Sequence, residues 1–312
     1  MKSTKMKTSK KNIDRVVTKM YVALISMCMM ASQAMSQTAK DADRRDADST
    51  AIVATLHKQL QGKRPSTVAA IVAHRGFWQT PGSAQNSLTA LRKAQELGVY
   101  SSETDCWLTA DNHIVQNHDG KIGDTVLRNV TFDEVKKLRL ANGEPVPQLR
   151  DMLRSVTESP SPTILRIEIK EHDTKKRTLQ CARLVAKEVK RCGAGNKVEF
   201  TSFNLDACRE LQKMFPNATV YYLKGGMAPA DVMKLGINGL NYNIKEVRDN
   251  PQWVDEAHKL GMKMCVWTAE NIHDMVEMNV RGVDLMSSNR PALAMMVRNI
   301  IEQERNTSTE KR

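Results

Sequence analysis

The chain has 312 residues, 41% of them hydrophobic, and a formal net charge of +12 at pH 7. That length accommodates one large domain or two ordinary ones, and core size is not limiting. No run of Lys and Arg interleaved with aromatics occurs, so the basic excess does not point to a nucleic-acid partner.

The N-terminus carries much of that charge. Lys2, Lys5, Lys7, Lys10, Lys11, Arg15 and Lys19 precede an uncharged stretch at 20–34 that ends near the small residues Ser32 and Ala34. A basic region, an apolar run and small residues suited to cleavage make residues 1–34 read as a signal peptide. The apolar run is shorter than the ~20 residues of a spanning helix, so cleavage is expected, with no stable membrane span afterwards. Lipid attachment at Cys28 is not expected, because Met27 stands where such signals carry a small residue. The leader holds seven Lys or Arg against Asp14, a net +6 of the +12, which leaves about +6 for an exported, periplasmic or secreted chain. A value of that size suits an anionic small substrate or a solvated surface. Five cysteines remain, Cys106, Cys181, Cys192, Cys208 and Cys265, with no C-x-x-C spacing, so no sulfur metal site is expected. Cys106 and Cys265 lie in apolar runs, where cysteine behaves as a small buried hydrophobe.

Residues 35–66 form a polar spacer in which Ala51, Ile52, Val53 and Leu56 suggest one short helix. From residue 67 a unit repeats: an apolar run, a turn rich in charge, an amphipathic stretch, another run. The runs are 68–72, 98–106, 114–116, 163–169, 197–201, 219–223, 237–240, 262–267 and 283–286. Leu88, Leu91, Ala94 and Leu97 show the helical spacing that fills the gaps. Strands alternating with helices predict a parallel sheet, and the number of runs is close to that of a closed (β/α)8 TIM barrel over residues 67–303, followed by a polar tail at 304–312. A doubly wound sheet is the alternative. The barrel is preferred because charged residues recur at the C-terminal ends of successive runs, where barrel loops assemble an active site.

Those run ends supply the candidate chemistry. His74 follows Ala73 and precedes Arg75 and Gly76; the glycine permits a tight turn, and the guanidinium matches phosphate oxygens. Glu103 and Asp105, two apart on a strand, share a face with Cα atoms ~6.5 to 7 Å apart, close enough to hold one cation. His118 is the second histidine at a run end, and Asp119 beside it is placed to fix its tautomer. Glu168 and Lys170 share a face on a distant strand, with Ile167 and Ile169 on the other. A carboxylate facing into a barrel mouth is costly unless it meets a cation.

In order and spacing, Ala73-His74-Arg75-Gly76, Ala84-Gln85-Asn86-Ser87, Glu103-Thr104-Asp105, Asn117-His118-Asp119, Pro147-Gln148-Leu149, Ile167-Glu168-Ile169-Lys170, Ser202-Phe203, Val266-Trp267-Thr268 and Gly282-Val283-Asp284 resemble the glycerophosphodiester phosphodiesterase family. The resemblance covers roughly residues 68 to 300. It implies a TIM-barrel hydrolase that cleaves deacylated phospholipid headgroup diesters to glycerol 3-phosphate and an alcohol, through a cyclic phosphate, with one divalent cation, Ca²⁺ or Mg²⁺. It places acid–base histidines at His74 and His118, metal carboxylates at Glu103, Asp105 and Glu168, phosphate contacts at Arg75 and Lys170, and a mouth aromatic at Trp267. Two positions depart from the family pattern. Gln85 and Asn289 stand where the family usually has Glu and Asp, keeping the hydrogen-bonding shape and losing the charge. Two alternatives stay open at this point: a phospholipase-type diesterase on intact or lyso-lipid, with Phe77-Trp78 as its apolar lip, and a non-catalytic periplasmic phosphodiester-binding module.

Overall fold

Helix α1 (Ser49–Leu60) stands where the polar spacer was expected to hold one. The computed structural model describes residues 49–60, 65 and 67–309, so the signal-peptide reading of residues 1–34 lies outside the described residues. The chain divides into two units, 1–55 and 56–312. Of the first, the described part is the opening half of α1. In the second, Leu56 and Leu60 on the helix's later half are buried.

The larger unit is a barrel of eight parallel strands. In chain order these are β1 (Ala70–Ala73), β2 (Ser101–Leu108), β6 (Ile164–Ile169), β7 (Val198–Ser202), β8 (Val220–Tyr222), β9 (Gly239–Asn243), β10 (Lys263–Trp267) and β11 (Leu285–Ser288). The pairing β1-β11-β10-β9-β8-β7-β6-β2 returns on itself through β1–β2, where Val72 meets Ser101, so the sheet has no free edge among these strands. Helices α2 (Leu88–Leu97), α4 (Leu149–Glu158), α5 (Lys175–Arg191), α6 (Leu205–Met214), α7 (Pro229–Lys234), α8 (Ile244–Asp249), α9 (Trp253–Lys259) and α10 (Ile272–Arg281) make the crossovers. A last helix, α11 (Pro291–Thr309), follows β11 and continues into the segment read as a polar tail.

Local chemistry explains the ends of these elements. Ser87 caps α2 by accepting from the Ala90 amide, and Gly98 ends it at φ 71, a left-handed turn that glycine enters without a Cβ clash. The predicted 88-91-94 spacing buries Leu91 and Ala94 with Ala90. Thr174, Asn204 and Asn271 cap α5, α6 and α10 in the same manner. All eight residues of β2 are buried, as expected where helices cover one face of a strand and the barrel interior the other.

One of the nine predicted runs is not a barrel strand. Residues 114–116 form β3 (Ile114–Gln116), which lies antiparallel to β2 with Cys106 opposite Gln116. It belongs to a long insertion between β2 and α4 that also carries the ribbon β4 (Lys121–Ile122) and β5 (Thr125–Val126) and a one-turn α3 (Phe132–Val135). Val115, Leu127, Phe132, Val135 and Val146 of this insertion pack with Trp107 of β2 in a small apolar cluster. Three residues are too few to tell an appended antiparallel strand from a barrel strand by pattern.

The barrel interior below the mouth is filled partly by an ion pair. Arg166, wholly buried, donates from Nη2 and Nε to Glu199 Oε2 at 2.8 and 3.2 Å and lies over the Tyr221 ring at 4.1 Å. Glu199 Oε1 accepts from Tyr100 and Tyr221 hydroxyls at 2.6 and 3.2 Å. Val72, Tyr221, Cys265 and Leu285 pack beside this network.

Candidate active site

Strand register brings the predicted acids together. Asp105 on β2 sits opposite Glu168 on β6, which sits opposite Thr201 on β7. Carboxylate oxygens of Glu103, Asp105 and Glu168 all lie within 4.8 Å of one another, and all three residues are buried. Lys170 Nζ reaches Glu168 Oε1 at 2.8 Å and Asp105 Oδ1 at 3.2 Å, so one ammonium bridges two of the three carboxyl groups. Glu103 Oε2 accepts the Arg75 backbone N–H at 2.7 Å, whereas its buried Oε1 has no hydrogen-bond partner among the described residues. Burial, and then the Asp105 and Glu168 charges, push the Glu103 carboxyl well above the usual carboxylate range. Burial and Asp105 likewise carry Glu168 up to about 7, against the pull of Lys170. Burial also acts to raise Asp105, but Lys170, His118, the Asn86 amide and His74 outweigh it and hold that carboxyl below its ordinary value.

An excess of negative charge, a buried oxygen without a donor and a donor set made only of hard oxygens fit a hard divalent cation of the Ca²⁺ or Mg²⁺ kind. Asn86, which has no assigned role in the sequence reading, holds the ligand strand: Nδ2 donates to Asp105 Oδ2 at 2.8 Å, while Oδ1 accepts the Asp105 amide at 2.9 Å and the Thr104 hydroxyl at 2.8 Å. It does so at φ 60, a left-handed conformation that asparagine tolerates better than most residues.

The turn after β1 is built for close approach. A Cβ on Gly76, at φ 81, would fall 2.6 Å from Ala90 Cβ, so only glycine fits against α2. Arg75 itself adopts φ 59, a strained setting for a side chain this large, and Nη1 donates to Gln85 Oε1 at 2.8 Å. Gln85 thus retains the partner that an acid would have, without its charge. Trp267 ends β10; its indole donates to the Asn241 carbonyl at 3.0 Å and its ring meets Phe203 edge-on with centroids 5.9 Å apart.

The two histidines stand in different settings. His74 Nδ1 meets Asn289 Oδ1 at 2.8 Å. Burial, with Arg75 and His118 adding to it against Asp105 and Asn289, lowers its pKa from 6.5 to about 4, so the imidazole is neutral at pH 7. His118 Nδ1 meets Asp119 Oδ1 at 2.7 Å, in the pairing expected from sequence, although the Asp119 side chain is 69% exposed. Gly120 lets that loop close, since a Cβ there would meet the Trp107 ring at 2.9 Å.

The lowered His74 value has a measurable effect on stability. An unfolded histidine takes up a proton below pH 6.5, whereas His74 in the fold does not until about pH 4, so folding opposes protonation across that window. Stability is therefore expected to fall as the pH drops through 6.5, by on the order of 2 kcal/mol at pH 4.5 after allowing for the partly exposed ring, relative to His74→Gln. Urea midpoints of the two proteins from pH 7.5 to 4.5 measure this, and parallel curves would contradict a neutral, buried His74.

Comparison with known proteins identifies the family. Residues 74–293 match the model of the glycerophosphoryl diester phosphodiesterase family, a span from His74 past Asn289. A curated glycerophosphodiester phosphodiesterase of Caldanaerobacter subterraneus subsp. tengcongensis is 26% identical over 234 residues, covering 71% of this chain and 94% of the relative. Among solved structures, a glycerophosphodiester phosphodiesterase from Parabacteroides distasonis is 38% identical, covers 76% of this chain and 98% of its own, and superposes with a TM-score of 0.73. An Oleispira antarctica phosphodiesterase, solved in complex with the product sn-glycerol-3-phosphate, shares the fold at 19% identity and a TM-score of 0.65, over 74% of this chain and 97% of its own. With the match running through both histidines and all three buried carboxylates, the chain belongs to the glycerophosphoryl diester phosphodiesterase family.

Proposed function

We propose that this protein hydrolyses glycerophosphodiesters, the deacylated headgroup diesters of phospholipids, to glycerol 3-phosphate and an alcohol. The observation that carries the reading is the buried Glu103-Asp105-Glu168 cluster, with its partnerless Glu103 oxygen, in the same barrel mouth as a histidine that is neutral at pH 7. Glu103, Asp105 and Glu168 would hold one divalent cation. When bound, it supplies positive charge to the phosphoryl oxygens and acidity to the glycerol hydroxyl.

The chain's own groups do the rest. Neutral His74 takes the proton of the attacking glycerol hydroxyl, which closes a cyclic phosphate; His118 protonates the departing alcohol; the roles reverse as water opens the ring. Arg75 and Lys170 set fixed positive charge beside the phosphate. Gln85 orients Arg75 by hydrogen bonding alone, and Asp119 orients His118. Trp267, with Phe203 against its edge, gives the glycerol carbons an apolar wall.

A phospholipase acting on intact lipid is less well supported. The indole of Trp78, half of the suggested lip, donates to Asn289 Oδ1 at 3.2 Å and is tied into the histidine site. No described helix is long and apolar enough to cross a membrane. Export, from the basic and apolar leader at 1–34, belongs to the same proposal and is tested by N-terminal sequencing of the mature protein.

Purified protein is expected to release glycerol 3-phosphate from glycerophosphocholine or glycerophosphoethanolamine in the presence of Ca²⁺ or Mg²⁺, and to stop when a chelator is added. Undiminished release in chelator would remove the cation from the mechanism. Diester binding without product after long incubation would favour the non-catalytic module.

A further inference from the structure

Asn289 is an amide in contact with an imidazole, and its other partners dictate which way it faces. Trp78 Nε1 can only donate, and it reaches Asn289 Oδ1 at 3.2 Å. Glu270 Oε1 accepts Asn289 Nδ2 at 3.0 Å and the Asn289 backbone N–H at 3.0 Å. Turning the amide over would set N–H against N–H and oxygen against oxygen. The atom that meets His74 Nδ1 at 2.8 Å is therefore an acceptor, and Nδ1 must carry the ring proton. In a neutral imidazole the lone pair then resides on Nε2, which has no hydrogen-bond partner among the described residues.

The two loops that hold this chain of contacts are fastened together. Glu270 follows β10 and Asn289 follows β11; the strands pair through Val266 and Met286, and the Ala269 amide donates to the Ser287 carbonyl at 3.0 Å. Arg290 Nη1 donates to the Glu270 carbonyl at 3.3 Å and keeps that residue against β11.

We propose that Glu270 is a positioning residue for His74: through Asn289 it holds the ring as the Nδ1–H tautomer and leaves Nε2 bare as the base. This rests on His74 being an acid–base group, as proposed above, and adds how the ring is kept ready for that role. Because the negative charge sits behind a neutral amide, the imidazolium gains little from it. The other ionisable groups around the ring are Arg75 and His118, which disfavour its protonation, and Asp105, which favours it. An aspartate at position 289 would confront Glu270 directly, carboxylate against carboxylate, so the two positions are expected to change together or not at all.

Histidine-¹⁵N labelling of the full chain, with two-bond ¹⁵N–¹H correlations, reads the tautomer directly; His74→Gln identifies the His74 signals. The expected pattern at pH 7 is Nδ1–H in the unaltered protein and a mixture in Glu270→Ala, with kcat lowered about 10- to 100-fold and KM little changed. Glu270→Gln, whose amide oxygen can still accept Nδ2, is expected to keep the tautomer and most of kcat. Asn289→Asp is expected to lose activity, and Asn289→Asp with Glu270→Gln to regain it with the acidic limb of the kcat/KM profile moved up by about one pH unit or more. An Nε2–H ring in the unaltered protein, or an undisturbed Nδ1–H ring in Glu270→Ala, overturns the proposal. Should Glu270→Ala not fold, the unaltered protein and the double variant still decide. A tautomer that depends on Glu270 while His74→Gln stays fully active supports the positioning and rejects the acid–base role of His74.

Discussion

Replacing His74 or His118 with glutamine is expected to lower kcat on glycerophosphocholine by about 10²- to 10⁴-fold, the range that a positioned proton donor or acceptor contributes. KM should move far less, because glutamine keeps the polarity of the mouth and removes only the ability to transfer a proton. Each ring has one nitrogen already engaged, His74 Nδ1 with Asn289 and His118 Nδ1 with Asp119, which leaves Nε2 of each for the proposed proton transfer. On the proposed mechanism His74 accepts first and His118 donates first. Acting in sequence on one reaction, the two losses should not add: the double variant is expected close to the worse single one. Steady-state rates on protein whose folding has been checked by circular dichroism measure this. Full activity in either single variant takes that residue out of the mechanism.

Arg166→Met is expected to destabilise the barrel by about 3 to 5 kcal/mol, the range measured when one partner of a buried ion pair is removed. Glu199, 4% exposed, would be left with only the Tyr100 and Tyr221 hydroxyls as partners, and Cys265 Sγ would lose the Arg166 Nη1–H it now accepts at 3.0 Å. Against a total stability of about 5 to 15 kcal/mol for a typical domain, that is about a fifth or more. Arg166→Met with Glu199→Leu should recover much of the loss, since apolar side chains of similar volume satisfy the same space without a stranded charge. Denaturant midpoints of the two proteins decide it. A single variant within about 1 kcal/mol of the unaltered protein would mean that water or a rearranged partner reaches Glu199.

Much of this site was legible because its chemistry is local in sequence. His74 with Gly76, Glu103 with Asp105, and His118 with Asp119 each combine a strand end with a spacing of one or two residues, and the pleat does the rest. Glu168 and Lys170 could be placed on one face for the same reason, and the family resemblance joined them to the others. Asn86 lies within one of the motifs, but its role is not legible there, because its work depends on a left-handed turn that sets it against β2. Glu270 escaped notice for a different reason: it lies 19 residues before Asn289, and only the pairing of β10 with β11 makes them neighbours. Arg166 shares the face of Glu168 by the same alternation, but its partner Glu199 lies on the next strand, and only the pairing of β6 with β7 sets the two opposite each other. Asn289, noted as a missing charge, is better described as a relay to a charge one contact further away.

The insertion between β2 and α4 has a consequence for how such an enzyme can change. His74, the carboxylates and Lys170 belong to the barrel's own strands or the turns directly after them, where any alteration is felt by the closed sheet. His118 and Asp119 instead ride on a small outgrowth whose apolar residues, Leu127 and Phe132 among them, pack on Trp107 of β2. On the proposed mechanism, the groups that would hold the cation and begin the attack are built into the frame, while the group proposed to protonate the departing alcohol sits on an inserted segment. Diversification toward new headgroups has a natural place to begin there.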